Sequence, residues 1–259
     1  MSTNDYIQGQ LAFSRQEYDL AITCLTSSLK AQSQDEFAYK YRGMAYHALE
    51  SYEQAIEDFS QALSINSQDS DNYFNRGVAY HDIGRLEDAI KDYNQAIFLE
   101  PRDAEARYYR GLAYHHLGHY DQAINDYYQA LEIRPHYVEA LYNRGSAYQS
   151  QSLFDKALKD YSKALEFEPN NALVFNNMGV IYHTQGQYAE AIQCLTQALY
   201  IESDYANAYN NRGSVYYEQK RYDEAITDFE QTIALEPENV NAYYNKGVAF
   251  WKKRTLENS

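Results

Sequence analysis

The segment His115-His116-Leu117-Gly118-His119 comes nearest to a chemical motif in this chain. His115 and His119 stand at i and i+4, the spacing at which two imidazoles on one helix face hold a metal ion. Gly118, however, falls where a turn is expected. The helix should end before His119, and no metal is expected. A second set, His47, His81, His115 and His183, recurs at multiples of 34 residues, and Tyr217 and Trp251 continue the row. It reads either as a duplicated packing residue or as a ladder of ligand contacts whose protonation near pH ~6 would alter binding. Arg42, Arg76, Arg110, Arg144 and Arg212 are each followed sixteen residues later by an aspartate: Asp58, Asp92, Asp126, Asp160 and Asp228. Where the arginine is replaced by Gln8 or Met178, the aspartate is replaced by Cys24 or Cys194. Joint presence and joint loss predict an ion pair, partly buried, because one buried partner without the other is costly. No glycine-rich phosphate loop, nucleophile elbow or metalloprotease spacing occurs, so neither enzyme activity nor a cofactor is expected.

These residues are positioned by a repeat. Glycine falls every 34 residues, at Gly9, Gly43, Gly77, Gly111, Gly145, Gly179, Gly213 and Gly247. With this glycine as position 8, repeats begin at residues 2, 36, 70, 104, 138, 172, 206 and 240. Position 20 is alanine in all seven complete repeats, and position 11 is aromatic in seven of eight. Position 27 is small throughout, from Ser28 and Ala62 to Thr232. In the third repeat Tyr73, Gly77 and Tyr80 share one helix face, and Ala89, Tyr93 and Ala96 share another. Gly84-Arg85-Leu86 predicts the turn between them. Pro101 predicts the end of the repeat, and Asp103 can cap the next helix. Small residues facing large ones bring two helices close, so a bulkier residue at Gly111 or Ala123 should cost about 1–3 kcal/mol.

The pattern resembles the tetratricopeptide repeat in the spacing and order of its small and aromatic positions. The resemblance implies an all-α, right-handed superhelical solenoid of stacked antiparallel helix pairs. One such domain is expected over 1–259, with a C-terminal cap helix at about 240–254. It also implies that positions 2, 5, 6, 9, 12 and 13 line a concave surface. Position 6 there carries Asn75, Asn143, Asn177, Asn211 and Asn245. An amide offers both a donor and an acceptor to a peptide backbone. The row is similar to the asparagine ladder in the repeat domain of the O-linked N-acetylglucosamine transferases, although their catalytic domain is not read here. Tyr108 and Tyr142 at position 5, His81 and His115 at position 12, and Glu105 and Glu139 at position 2 complete the expected peptide-binding set. The lysine-arginine-asparagine clamp that holds chaperone tails in other members is missing; Lys40 is the one lysine at position 5.

The expected function is a non-enzymatic adaptor that binds an extended protein segment with apolar and basic residues. The alternatives are a self-associating structural module and the targeting domain of a larger enzyme. The net charge of −15 argues against nucleic acid and anionic membranes as partners. With no apolar run long enough to span a membrane, no signal segment read at the N-terminus and two separated cysteines, the chain reads as cytoplasmic with reduced, buried thiols. The face of the last helix bearing Tyr243, Val248 and Trp251 offers a surface for a homo-oligomer through the C-terminal end.

Overall fold

The computed structural model describes residues 2–257 and divides into two compact units, Met1–Ala140 and Leu141–Ser259. In the first, α1 (Ser2–Ser14) pairs with α2 (Tyr18–Ala31), and α3 (Glu36–Ala48) with α4 (Tyr52–Ile65). Likewise α5 (Ser70–Asp82) pairs with α6 (Leu86–Leu99), and α7 (Ala104–His116) with α8 (Tyr120–Ile133). The boundary falls in α9 (Val138–Ser150), which α10 (Phe154–Phe167) follows. In the second unit α11 (Ala172–Thr184) pairs with α12 (Tyr188–Ile201) and α13 (Ala206–Glu218) with α14 (Tyr222–Leu235), and α15 (Val240–Glu257) packs on α14. Each unit is thus a stack of helix pairs, and no strand occurs among the described residues. The first helix of each repeat is called A and the second B.

Several A helices begin at side-chain caps, although α13, which follows Tyr205, does not. Asp35 accepts from the amide of Ala38, Asp69 from Asn72, Asp103 from Glu105 and Ala106, and Asn171 from Val174. Between A and B the chain turns through one residue in the left-handed region. Gly84, Gly118 and Gly186 hold φ of +73 to +74°, but the same place is taken by Gln16, Glu50, Ser152 and Lys220 at φ +57 to +62°. A side chain there costs free energy that glycine does not. Replacing Lys220 with glycine is therefore expected to stabilise the chain by about 1 kcal/mol, seen as a higher denaturation midpoint. A lower midpoint would show that the lysine side chain contributes more than the backbone strain costs.

The core is a column of small-on-large contacts. A Cβ placed on Gly77 would lie 2.7 Å from the Tyr93 ring, and one on Gly145 equally close to Tyr161. Ala89, Tyr93 and Ala96 are fully buried, as are Ala123, Tyr127 and Ala130. Position 3 is alanine in Ala38, Ala106 and Ala208, but Asn72 occupies it in the third repeat, fully buried, with no partner for either side-chain polar atom. Asn72→Ala is expected to raise stability by about 1–3 kcal/mol, the penalty of an unsatisfied buried amide. A denaturation midpoint below that of the parent would contradict this.

The five expected ion pairs all form. Each arginine Nε and Nη2 donate to both carboxylate oxygens of its aspartate at 2.6–2.8 Å, and the aspartates are only 1–5 % exposed. The remaining Nη1 reaches back one repeat: Arg42 to Thr26, Arg76 to Ser60, Arg110 to Asn94 and Arg212 to Thr196. Tyrosines at positions 4 and 11 flank the guanidinium, as Tyr73 and Tyr80 do for Arg76 at 5.7 and 6.0 Å. In the sixth repeat Met178 and Cys194 instead join an apolar cluster with Tyr161 and Val174.

Two expectations need correction. Cys24 and Cys194 are free thiols, but half-buried rather than buried. In five other repeats an arginine pairs with position 23, whereas Gln8 in the first is exposed. Burial, with Glu190 adding to it, still pushes the Cys194 thiol up to about 11. The last helix runs to Glu257 rather than about 254, because Lys252-Lys253-Arg254 supplies helix formers where other repeats place a left-handed turn residue.

Candidate functional site

Successive A helices within each unit meet with a one-residue offset. Contacts join residues 35 apart, so position 5 of one repeat faces position 6 of the next, and position 12 faces position 13. In the second unit this links the asparagines. Asn177 Nδ2 donates to Tyr142 Oη at 3.0 Å, Asn211 Nδ2 to Asn176 Oδ1 at 2.9 Å, and Asn245 Nδ2 to Asn210 Oδ1 at 3.3 Å. Asn176 Nδ2 donates in turn to Asn177 Oδ1 at 3.3 Å, so Tyr142, Asn177, Asn176 and Asn211 form one network. In the first unit the same offset joins rings: Tyr6 with Tyr41 at 6.5 Å and Phe74 with Tyr109 at 5.3 Å between centroids.

Between neighbouring A helices lies a recurring pocket. In the first unit it is lined by Met44, His47, Phe59, Asn75 and Val78, with Phe13 at its edge. In the second unit the equivalent residues Ser214, Tyr217, Phe229, Asn245 and Val248 line another, joined by Glu218 and Tyr244. Both have an apolar floor made by the B-helix phenylalanine at position 24, a β-branched wall at position 9 and one amide at position 6. The Asn75 side chain is half-buried and has no hydrogen-bond partner among the described residues. Such a pocket can seat an apolar side chain and pair a backbone group beside it.

The expected site residues are therefore divided between two surfaces. Asn75 lies in the first unit's pocket and Asn245 in the second's. Asn177 and Asn211 are held in the amide network with Tyr142, and Asn143 is half-buried on the same face. Tyr108 packs on Tyr137 at 4.8 Å and on Tyr109 at 5.5 Å, while Glu105 and Glu139 are exposed. Sequence reasoning missed Asn176 and Asn210 at position 5. The doublets Asn176-Asn177 and Asn210-Asn211, one repeat apart, were the available signal. It also missed the floors, Phe59 and Phe229. Lys40 is occupied by Asp71 at 2.6 Å and Asp69 at 3.4 Å; burial opposes its charge, but those bonds hold its pKa above the usual value.

The histidine row has a packing partner. His47 meets Tyr52 at 5.3 Å, His115 meets Tyr120 at 5.3 Å and His183 meets Tyr188 at 6.0 Å, each at the first residue of the following B helix. Two members also bridge repeats by the 35-residue offset: His47 Nε2 lies 2.8 Å from an Asp82 oxygen, and His81 Nε2 lies 2.9 Å from His116 Nδ1. α7 ends at His116, so His119 lies across the turn from His115. No cluster of three or more metal-ligating side chains occurs among the described residues.

Burial lowers the pKa of His81, His115 and His183, with His116 adding to the first two. Above the ordinary imidazole value of about 6.5 they are neutral in both folded and unfolded chains. As pH falls below it, the unfolded chain takes up protons first, and folded stability is lost until the folded imidazoles titrate as well. The melting temperature is expected to fall between about pH 7 and 5, and to fall less in a His81→Asn/His183→Asn variant. An identical pH slope in both proteins would contradict this.

Family models described as TPR repeat match residues 43–84, 79–118, 181–220 and 213–253. Others described as tetratricopeptide repeat match 104–137, 138–171 and 160–193. The chain belongs to the tetratricopeptide repeat family. None of the curated proteins matches it. Among solved structures, MamA protein is 29 % identical at a TM-score of 0.62, over 66 % of this chain and 93 % of that one. YrrB, described as a TPR protein with an unusual peptide-binding site, is 22 % identical at 0.62, over 74 % and 99 %. The C-terminal part of a TPR repeat-containing protein from Cytophaga hutchinsonii gives 0.76 at 18 % identity, over 93 % and 98 %. A tetratricopeptide repeat is a scaffold for protein–protein interaction and is generally not catalytic. No described helix is long and apolar enough to cross a membrane.

Proposed function

We propose that this tetratricopeptide repeat chain is an adaptor that holds an extended peptide segment on the A-helix face of its second unit. The observation that carries the reading is the pocket over Phe229, walled by Tyr217, Tyr244 and Val248, with Asn245 inside it and the neighbouring amide network on the same face. An apolar side chain enters the pocket, and the asparagines pair with the peptide backbone. Glu218 beside the pocket, and the chain's overall negative charge, favour a lysine or arginine in the segment. Aromatic walls around a desolvated anchor are the usual composition of a binding hot spot. That YrrB is described as having a peptide-binding site is consistent with this use of the fold.

A pull-down from lysate of the source cells, run with the parent chain and an Asn143→Ala/Asn177→Ala/Asn211→Ala variant, tests the reading once circular dichroism has shown that the variant folds. Proteins lost only with the variant are the expected result. Equal recovery by both would remove the asparagines from the binding surface.

A further inference from the structure

Position 12 of one A helix faces position 13 of the next within each unit, and the pairing partner differs between junctions. Between α3 and α5 an imidazole meets a carboxylate, His47 with Asp82 at 2.8 Å. Between α11 and α13 the same register sets His183 against Glu218, whose charge acts on the ring. Between α5 and α7 a second imidazole takes the carboxylate's place. His81 Nε2 lies 2.9 Å from His116 Nδ1, and the ring centroids are 5.1 Å apart. The doublet His115-His116 is the sequence signal of this exchange.

Two facing imidazole nitrogens are also two metal ligands. Bonded to one ion at about 2.0–2.1 Å each, they stand about 2.9 Å apart if the bonds meet at a right angle, and about 3.3 Å apart at the tetrahedral angle. The observed separation matches the right angle, which belongs to tetragonal or octahedral Ni2+ and Cu2+ rather than to tetrahedral Zn2+. Burial, with His116 adding to it and Asp82 opposing, lowers the pKa of His81, so its lone pair is available at neutral pH. Asp82 follows His81 on α5 and places a negative charge beside the pair. His116 is exposed, which leaves room for its ring to turn and for water on the ion's other positions.

We propose that His81 and His116 form a site for a divalent transition metal of the nickel or copper class, in which the ion replaces their hydrogen bond and ties α5 to α7. His81 binds through Nε2 and keeps its proton on Nδ1; His116 binds through Nδ1 and keeps its proton on Nε2. Both rings stay neutral, so above the imidazole range the ion displaces no proton, and below it protons compete with the ion. The ion has two protein ligands, and no third metal-ligating side chain joins them among the described residues, so water completes the shell. The i, i+4 pair of His115 and His119 is not this site, because His119 lies beyond the end of α7. All the residues involved belong to the first unit, and the proposed peptide site to the second, so the two readings fail independently.

Isothermal calorimetry of the full chain, carrying no affinity tag and titrated with nickel chloride above the imidazole range, tests this. Saturable binding of one ion per chain is expected. It should weaken at least tenfold in His81→Asn and in His116→Asn, each shown to be folded by circular dichroism, and stay at the parent level in His119→Asn. Zinc chloride should bind more weakly than nickel chloride. In the parent, bound Ni2+ is paramagnetic and should shift or broaden the imidazole NMR signals of His81 and His116 most strongly, which the loss of a packing contact would not do. No saturable binding, equal affinity of the parent and both variants, tighter binding of Zn2+ than of Ni2+, or NMR effects centred on His115 and His119 would each overturn the proposal.

Discussion

Replacing Asp92 with alanine is expected to destabilise the chain by roughly 3 kcal/mol, the low end of the cost of breaking a buried ion pair. Arg76 would keep its place between Tyr73 and Tyr80 and its bond to Ser60, but lose both carboxylate bonds in a site where its side chain is 19 % exposed. Burial pushes the Asp92 carboxyl up even with the guanidinium beside it, which means that desolvation offsets much of the attraction. For the same reason, removing both charges should cost little. The double change Arg76→Met/Asp92→Cys installs the pair that the sixth repeat already uses, Met178 with Cys194, and is expected to recover most of the loss. Denaturant titrations of the three proteins decide it. A single variant as stable as the parent, or a double variant no better than the single one, would contradict the account. The same logic explains why the two residue types are present or absent together along the chain.

The second large effect concerns space rather than charge. Gly145→Ala would push a methyl group to 2.7 Å from the Tyr161 ring, which is fully buried and whose hydroxyl donates to Gln149 at 2.9 Å. With no room for the ring to move, overpacking should cost about 1–3 kcal/mol. Gly247→Ala is the same substitution at the same repeat position, yet it meets nothing within 4 Å. There only helix propensity acts, and stability should rise by about 1 kcal/mol. Opposite signs for the two variants are expected in thermal denaturation. Equal destabilisation by both would mean that the recurring glycine serves backbone conformation rather than the approach of two helices.

The fold was legible because its constraints repeat. One glycine every 34 residues, alanine at position 20 and the coupled presence of arginine and aspartate are local signals, and each is read seven or eight times along the same chain. The ion pairs followed from that internal comparison, since a contact inside one repeat keeps a fixed spacing of sixteen residues. The candidate site was less legible. Its contacts lie between repeats, and their 35-residue offset comes from how one A helix packs on the next. A register of 34 makes His47 and His81 look like equivalent rungs, but the structure pairs His47 with Asp82 and His81 with His116. It likewise presents Asn177 and Asn211 as a ladder of free amides, although their donors are turned to Tyr142 and Asn176. The turn residues were legible only in part: Gly84 and Gly118 mark the turn, whereas Gln16, Glu50, Ser152 and Lys220 adopt the same left-handed conformation against their preference.

The peptide-binding reading is tested most directly by selecting ligands from a random peptide library displayed on phage, with the immobilised chain as target, and measuring the affinity of the selected peptides for the parent and for Asn177→Ala/Asn211→Ala and Val248→Glu chains. The account predicts enriched sequences with an aromatic or aliphatic anchor near a lysine or arginine, and at least tenfold weaker binding to both variants. Enrichment of acidic sequences, or affinities that both variants leave unchanged, would contradict it.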